Sequence, residues 1–406
     1  MSDSAKKMVS DIRNEIQKCI ETGYKKFVIA PFGFFGKMTK KVLNEEFEIK
    51  EIICLDNNNF DMKEVFPIKY ISEISNDCIV LLATANEYYR YQLVSLLHPY
   101  VELKKIKVCV SYSEMQKKIL FDKSKVKLDF LCVGFAKCGT SSMQEAFINH
   151  PQVYLPQIKE TFFLKNVSEM GHQRFKKIYS DSRAQNKLLG GIEPTYFDIP
   201  ETVYHYFGPH IKIIMCVANP IKALYSRFKM AMRDMGSKEL ELIKKYQKVT
   251  PALFDEWVND KLQFYRYMDY INFYLNYFPH DHIKVIISEK LYSFPGLVME
   301  EIQQFLEIDN KITYEKFPHA NKGNTVSKNY AAACINKKIR ELILEVTDLD
   351  VEEQVRKMRH DIFSITTVPY LESMQEETYH RLFHYFCDSI HELETFLGES
   401  LKNIWY

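Results

Sequence analysis

Two short apolar segments of this chain each run into a glycine-containing turn and then into a helical pattern. The first is KFVIAPFGFFG at residues 26–36, and the second is LDFLCVGFAKCG at residues 128–139. Other short apolar segments, separated by helical patterns, lie at residues 49–55, 78–84, 106–110, 188–192, 211–217 and 283–287. Strands that alternate with helices in this way form parallel sheets with right-handed crossovers. The sequence therefore predicts an α/β fold that is built twice.

The chain of 406 residues is too long for one ordinary core, and we expect two domains. We predict a small Rossmann-like α/β domain over residues 1–112, a lysine-rich linker over 113–126 and a larger domain over 127–406. The linker segment is equally consistent with a solvated helix that continues the first domain. The larger domain is expected to hold a P-loop-like parallel sheet with helices on both faces, followed by a mostly helical C-terminal part. Apolar periodicity predicts helices over 5–22, 37–46, 86–97, 140–149, 221–235, 252–278 and 295–307.

The composition argues against several classes of protein. The net charge of +1 gives no overall field that would attract nucleic acid or a membrane surface, so an anion site must be local. The nine cysteines form no C-x-x-C pair and no cluster at zinc spacing, which favours reduced thiols in a cytosolic enzyme. There is no apolar signal region, and no window reaches the roughly 18 apolar residues of a membrane span. We expect a cytoplasmic protein without a transmembrane segment.

The second glycine turn has the residues of an anion site. Gly134 and Gly139 allow a tight turn between a strand and a helix that starts at residues 140–142. The free N–H groups at such a helix start converge on one point, and the helix dipole favours negative charge there. Lys137 adds a positive charge, but it precedes the second glycine, unlike the lysine of ordinary ATPase phosphate loops. The alternative is a plain strand-to-helix turn capped by hydroxyls.

Residues 134–142 read GFAKCGTSS, and NHP follows at 149–151. This pattern resembles the 5′-phosphosulfate loop of sulfotransferases that use 3′-phosphoadenosine 5′-phosphosulfate (PAPS). The most similar branch is that of the heparan sulfate and bacterial glycan sulfotransferases. Further segments resemble motifs of that family in the same order: KETFF at 159–163, GIEPTY at 191–196, IIMCVANPIKALYS at 213–226, NKGNTVS at 321–327 and LETFLGESL at 393–401, before Trp405.

The resemblance implies a bacterial enzyme that moves a sulfuryl group from PAPS to a hydroxyl or an amine of a glycan, a glycolipid or another small acceptor, without a metal. Lys137 would lie at the oxygen between phosphorus and sulfur, and Glu160 would be the general base that takes the acceptor's proton. Without the resemblance, the sequence favours the interpretation of Glu160 as part of a surface Lys-Glu pair before a buried Phe-Phe. The cofactor-binding residues that the resemblance implies are Lys137, Cys138, Gly139, Thr140, Ser141, Ser142, Asn219, Ser226, Asn321, Lys322 and Gly323.

The sequence departs from the family in the segment for the 3′-phosphate. The family pattern has two arginines where this chain has Ala218 and Ala223, which removes the bidentate phosphate contact that arginine makes. The glutamate of the family's G-E-x motif is replaced by Gly191. Cations that would compensate for the arginines are Lys222, Arg227, Lys229 and Arg233. Two alternatives stay open: a catalytically decayed binding or regulatory protein with this fold, and a P-loop transferase such as a small-molecule kinase, which would need Mg²⁺ and ATP.

The first glycine turn is a degenerate form of the dinucleotide fingerprint. Pro31 stands in place of the first glycine, Phe32 lies where a pyrophosphate would approach, and Asp56 is in the position of the ribose-binding acid. We leave open a nucleotide or sugar-nucleotide site and a structural or partner-docking domain. Two alternatives also hold for the aromatic residues over 254–278 and for Tyr196, namely packing in the core or a place at the acceptor cleft.

Overall fold

The computed structural model of this chain divides into two units, residues 1–123 and residues 124–406. Within them the structure describes residues 3–58, 64–74, 77–110, 112, 114–122, 125–234, 236–309, 312–318, 324–345 and 349–406. Both units are α/β with parallel sheets, which confirms the predicted fold class. No helix among the described residues is long and apolar enough to cross a membrane.

The first unit is a parallel five-stranded sheet in the order β3-β2-β1-β4-β5. Its elements are α1 (Asp3–Glu21), β1 (Lys26–Ala30), α2 (Phe34–Glu46), β2 (Glu51–Leu55), β3 (Val65–Phe66), β4 (Ile79–Leu82), α3 (Glu87–Leu97), β5 (Ile106–Val108) and α4 (Glu114–Leu120). This strand order is that of a Rossmann-like sheet, in which the first strand is central. Helix α4 lies within the segment 113–126 that we expected to be a linker.

Helices cover both faces of the first sheet. Side chains of a strand point alternately to the two faces, and β1 is buried on both. Phe27 and Ile29 pack with α1 and α2, whereas Val28 and Ala30 pack with α3. Burial of side chains as large as Phe27 and Ile29 stabilises the fold by roughly 1.5–3 kcal/mol each. The continuous apolar run of this strand is therefore explained by burial on both sides.

The second unit has a parallel sheet followed by a mainly helical C-terminal part. In chain order its elements are β6 (Phe130–Gly134), α5 (Thr140–Ile148), β7 (Val153–Tyr154), α6 (Glu169–Tyr179), β8 (Leu188–Ile192), α7 (Pro200–Phe207), β9 (Lys212–Val217), α8 (Pro220–Arg233), α9 (Ser237–Tyr246), α10 (Pro251–Val258), α11 (Tyr267–Leu275), β10 (Ile283–Ile287), α12 (Ser288–Ser293), α13 (Pro295–Phe305), β11 (Thr325–Ser327), α14 (Tyr330–Glu345), α15 (Leu349–Thr366), β12 (Thr367–Pro369), α16 (Glu376–Leu397) and α17 (Lys402–Trp405).

Strand β6 is the central strand of the second sheet, whose order is β10-β9-β6-β8-β7 with all neighbours parallel. Every residue of β6 is buried. The chain continues to one side of β6 through β7 and β8, and to the other side through β9 and β10. Ligands of open α/β sheets bind where the connections diverge in this way, at the carboxyl ends of the strands. The turn after β6 is at this position.

The helix predicted over residues 252–278 is wrong as one continuous element. Helix α10 ends at Val258, a 3-10 helix covers Asn259–Tyr265, and α11 begins at Tyr267. In a continuous helix, Tyr265 and Tyr267 would be about 200° apart around the axis. The break lets both hydroxyls donate to buried carbonyls, from Tyr265 to Ala136 at 2.8 Å and from Tyr267 to Ala218 at 2.8 Å. These tyrosines belong to the core, since both are at most 2% exposed.

Gly190 gives a test of the close packing between β8 and β6. A Cβ atom on Gly190 would lie 2.1 Å from the ring of Phe130, so the ring must move. We expect Gly190→Ala to lower the free energy of unfolding by about 1–3 kcal/mol, measured by urea denaturation. The control is Gly296→Ala in α13, where the new Cβ would be 3.5 Å from the carbonyl oxygen of Tyr314. Equal effects of the two substitutions would contradict the packing argument.

Candidate functional site

The turn between β6 and α5 has the backbone geometry of an anion site. Gly139 precedes the helix with a φ of +84°, which a residue with a side chain rarely adopts. A Cβ atom at Gly134 would approach the backbone of Met215 to 3.3 Å, so the strand also needs a small residue there. Glycine is favoured at both positions for different reasons, at Gly139 by backbone conformation and at Gly134 by close packing.

Two carbonyl groups of this turn are held by side chains from elsewhere in the unit. Tyr265 donates its hydroxyl to the carbonyl of Ala136 at 2.8 Å, and Ser288 donates to the carbonyl of Cys138 at 2.5 Å. In a trans peptide the N–H group points opposite to the C=O group. The N–H groups of Lys137 and Gly139 therefore point away from Tyr265 and Ser288, toward the open side of the turn.

The first turn of α5 adds further donors. No side chain caps this helix, and the first backbone bond of the helix runs from the N–H of Met143 to the carbonyl of Gly139. The first N–H groups of a helix have no partner within it, and the dipole places partial positive charge at this end. The N–H groups of Thr140 and Ser141 are thus part of the same donor set as the turn. The N-cap residue is Gly139, which carries no hydroxyl, so the N-cap position itself contributes no side-chain cap.

Lys137 is the charged residue of the turn. Its pKa is lowered to about 8, chiefly by burial and further by the positive charges of Arg233, Lys159 and Lys229. Its ammonium group makes no hydrogen bond or ion pair with the described part of the chain. Four cations gathered near one turn without a matching number of carboxylates make this a place for a multiply charged anion.

Lys159 connects the turn to the segment that holds Glu160. Its ammonium donates to the hydroxyl of Ser141 at 3.1 Å and to the carboxylate of Glu160 at 2.6 Å. Glu160 is about one-third exposed, and its N–H group donates to the carbonyl of Ile192 at 3.2 Å. The structure therefore brings the two sequence-predicted catalytic residues into one site, with Lys159 between them.

The two positions that lack the family arginines are Ala218, between β9 and α8, and Ala223, within α8. Asn219 is buried and caps this helix by accepting from the N–H groups of Ile221 and Lys222 at 3.0 and 3.1 Å. Its amide also donates to the carbonyl of Trp405 at 2.7 Å, so the oxygen of the side chain caps α8 and the nitrogen holds the C-terminal residues. This role differs from the direct cofactor contact that we expected for Asn219. Ser226, in contrast, is half-buried on the same helix.

Two of the four cations proposed to compensate for the arginines lie near the turn. Lys229 and Arg233 are one turn apart on α8, and both act electrostatically on Lys137. Burial lowers the pKa of each, and the Nε atom of Arg233 is buried without a hydrogen-bond partner among the described residues. Lys222 is exposed, and the guanidinium of Arg227 stacks on Phe264 at 4.9 Å. The sequence spacing shows that Lys229 and Arg233 share one face of α8. Only the structure shows that this part of the helix lies near the turn.

The last segment of the predicted site is only partly described. Asn321, Lys322 and Gly323 lie outside the described residues. Asn324, directly after them, accepts from the ammonium of Lys229 at 2.6 Å. This contact places the described end of that segment beside helix α8.

Other residues of the site had no signal in the sequence. Ser288 and Tyr292 of α12 lie against the turn, where Tyr292 and Ser142 form a hydroxyl pair at 2.8 Å.

Tyr196, for which the sequence left two interpretations open, is fully buried and accepts from the N–H of Leu164 at 3.0 Å. The structure therefore places this side chain in the core. No group of three or more potential metal ligands of the His, Cys, Asp or Glu type occurs among the residues described.

The glycine turn of the first unit keeps only part of the dinucleotide fingerprint. A Cβ atom at Gly36 would lie 2.4 Å from the carbonyl oxygen of Pro31, so this glycine allows close packing of helix and strand. Phe32 is buried in the core, and Asp56 is buried and accepts from the N–H of Asn58 at 2.7 Å. The role of this unit stays a prediction with the two alternatives given above.

Comparison with known proteins gives matches to the second unit. A protein-family model described as "Sulfotransferase domain" matches residues 127–357. The bifunctional heparan sulfate N-deacetylase/N-sulfotransferase of Drosophila melanogaster is 30% identical over 128 residues, which are 30% of this chain and 12% of that protein. The chain therefore matches a small part of the length of this relative.

Similar solved structures include a sulfotransferase from Alicyclobacillus acidocaldarius, with 17% identity and a TM-score of 0.45. The similarity covers 68% of this chain and 98% of that one. A mouse sulfotransferase complexed with PAP has 16% identity and a TM-score of 0.35, over 70% of this chain and 92% of that one.

The pKa of Lys137 can be tested without any ligand. With a pKa of about 8 the amine is half neutral near that pH, whereas ordinary lysines reach this point near 10.4. We expect Lys137 to react with acetic anhydride faster than exposed lysines between about pH 7 and 9, as measured by mass spectrometry of the labelled peptides. A reactivity profile of Lys137 that rises only above about pH 10 would contradict this result.

Proposed function

The chain belongs to the sulfotransferase family, and we propose that it transfers a sulfuryl group from PAPS to a hydroxyl or an amine of a glycan or glycolipid. The observation that carries the proposal is the position of Lys137 in an uncapped turn at the switch point of the parallel sheet, with Lys159, Lys229 and Arg233 near it. This arrangement suits a nucleotide that carries a phosphosulfate and a second phosphate.

Lys137 and the turn have separate tasks in this proposal. The N–H groups of the turn and of Thr140 and Ser141 bind the 5′-phosphate. Lys137 stabilises the negative charge that forms on the oxygen between phosphorus and sulfur as the S–O bond breaks. Electrostatic stabilisation of this kind is typically the largest catalytic contribution, and loss of one donor lowers the rate by about 100- to 1,000-fold.

Glu160 is the general base in the proposed reaction. It takes the proton from the acceptor's hydroxyl or amine while the acceptor atom forms its bond to sulfur, and adenosine 3′,5′-bisphosphate (PAP) leaves. The ion pair with Lys159 keeps the carboxylate of Glu160 beside Ser141 of the turn. The base and the proposed phosphosulfate site are therefore joined by one side chain, which supports positioning of the two reactants.

The 3′-phosphate is assigned to Ser226, Lys229 and Arg233 in place of the missing family arginines. Burial disfavours the charged forms of Lys229 and Arg233, and a bound phosphate would offset this by pairing with them. Because Lys229 and Arg233 lie in the later turns of α8, the 3′-phosphate is bound there and not at the start of the helix. The preference for a nucleotide with a 3′-phosphate then depends on these two cations.

The choice of a glycan acceptor has weaker support than the choice of PAPS. The fly relative's name includes heparan sulfate and N-sulfotransfer, but it matches only 12% of that protein's length. A protein that shares only these short segments with the fly enzyme can act on a hydroxyl or an amine of a different acceptor. We also propose a cytoplasmic location in a bacterium, because PAPS is made in the cytosol.

Binding of PAP by calorimetric titration tests the nucleotide site. We expect the full-length protein to bind PAP at least about 10-fold more tightly than AMP, because AMP lacks the 3′-phosphate that pairs with Lys229 and Arg233. Lys229→Met should remove most of this preference, and Lys137→Ala should weaken both nucleotides. Lys248→Met, at an exposed position on the surface, is the control for loss of charge.

Equal binding of PAP and AMP by the wild-type protein would contradict the assignment of the 3′-phosphate. Such a result would favour the alternative of a decayed site in a binding or regulatory protein. Tight binding of ATP that requires Mg²⁺ would instead favour a small-molecule kinase.

Turnover tests the role of Glu160. With PAPS and N-deacetylated heparosan as an amine acceptor, and heparosan as a hydroxyl acceptor, we expect Glu160→Gln to lower kcat by about 100- to 10,000-fold. The affinity for PAP should be unchanged, since Glu160 does not contact the nucleotide in the proposal. Glu169→Gln, an exposed residue of α6, is the matched control. Turnover by Glu160→Gln at the wild-type rate would show that another group accepts the proton.

A further inference from the structure

A second carboxyl group, that of Glu193, lies directly behind the segment of Glu160. Glu193 follows β8 and is 2% exposed. Its Oε1 atom accepts from both the N–H and the hydroxyl of Thr161, at 2.8 and 2.5 Å. Its Oε2 atom is buried and has no hydrogen-bond partner among the described residues. A buried carboxyl that holds one neighbour with one oxygen and leaves the other oxygen unpaired calls for an explanation other than stability.

The segment that Glu193 holds has an unfavourable backbone. Glu160 and Phe162, on the two sides of Thr161, have φ angles of +62° and +55°. The left-handed conformation costs roughly 1–2 kcal/mol for a residue with a side chain. Residues stay in such conformations when the surrounding structure holds them there.

Contacts from three residues, at the end of β8 and just after it, hold this segment, and the hydroxyl of Tyr196 also lies 3.4 Å from that of Thr161. The carbonyl of Ile192 accepts from the N–H of Glu160 at 3.2 Å, and the hydroxyl of Tyr196 accepts from the N–H of Leu164 at 3.0 Å. Glu193 supplies the third contact, and it is the only one of the three that carries a titratable carboxyl. Its two bonds fix Thr161 between the strained residues, so the direction of the Glu160 side chain depends on it.

The two carboxyl groups also act on each other electrostatically. The pKa of Glu193 is raised to about 7, chiefly by burial and also by the negative charge of Glu160, while the bonds from Thr161 and the nearby N–H of Phe162 oppose the rise. The other titratable groups that face Glu193 are the phenols of Tyr179 and Tyr196, whose pKa values are raised by burial first and by the charge of Glu193 second.

We propose that Glu193 is a positioning residue for sulfuryl transfer, which holds Thr161 and through it directs the carboxylate of Glu160 toward the acceptor. The inference rests on the proposed role of Glu160 as the base. Glu193 contacts neither the nucleotide nor the acceptor. Its effect is expected in the rate of the chemical step and in its pH dependence, and not in the affinity for PAP.

The first test needs no acceptor. The methyl group of Thr161 is labelled with ¹³C in the full-length protein, and its resonance is assigned by its loss in Thr161→Ser. We expect the resonance to titrate with a midpoint near pH 7 in the wild type, at a lower midpoint in Glu160→Gln, and not at all in Glu193→Gln. A titration near pH 7 that survives in Glu193→Gln would overturn the contact between Glu193 and Thr161 as its source.

The second test is a double-mutant cycle on turnover with PAPS and N-deacetylated heparosan. If Glu193 acts through Glu160, Glu193→Gln lowers kcat by about 10-fold or more in the wild-type background and adds no loss in the Glu160→Gln background. Equal proportional losses in both backgrounds would mean a general structural role and would overturn the proposal. Turnover by Glu160→Gln at the wild-type rate would mean instead that the proposed base is wrong, so the two failures are distinguishable.

Thr161 provides a second pair of variants in case Glu193→Gln folds poorly. Thr161→Val removes the hydroxyl that donates to Glu193 but keeps the backbone bond, whereas Thr161→Ser keeps both bonds. We expect Thr161→Val to lower kcat with unchanged PAP affinity, and Thr161→Ser to remain within about threefold of the wild type. Equal kcat values for the two variants would overturn the proposal.

Discussion

The hydrogen bonds that hold the carbonyl groups of the turn after β6 determine how the second unit presents its site. Tyr265 and Ser288 come from segments more than a hundred residues away along the chain, and they bond to Ala136 and Cys138. These bonds orient the peptide groups, so the N–H groups face the open side before any ligand is present. The break between α10 and α11 and the position of α12 allow these two bonds.

The cations of the site are disfavoured by burial and by their mutual repulsion. Lys137, Lys229 and Arg233 are disfavoured as cations by burial, and Lys137 is disfavoured further by the two others and by Lys159. A folded protein keeps such a cluster when an anion neutralises it in the working state. In the proposed site, Lys229 and Arg233 of α8 supply the positive charge that the family pattern places at positions 218 and 223.

The carboxyl side of the site is arranged by backbone strain and burial rather than by charge pairing alone. Glu160 is oriented by Lys159 in front and by the segment around Thr161 behind. The contacts from Ile192, Glu193 and Tyr196 all originate at the end of one strand, β8. Glu160, which is bonded to the end of β8, and the turn after β6 thus lie at the ends of neighbouring parallel strands, and the sheet sets their separation.

The alternation of strands and helices, the two glycine turns, Lys137 and the KE pair at 159–160 were recognisable in the sequence, because these features depend on residues close together along the chain. The resemblance to sulfotransferases added the roles of Lys137 and Glu160. The break at Arg266, the capping role of Asn219, and the nearness of Lys229 and Arg233 to Lys137 appeared only in the tertiary structure. So did the contact between Glu193 and Thr161, which are 32 residues apart in the chain and follow the paired strands β8 and β7. Local periodicity determines which elements form, whereas burial and the pairing of distant strands decide which side chains meet.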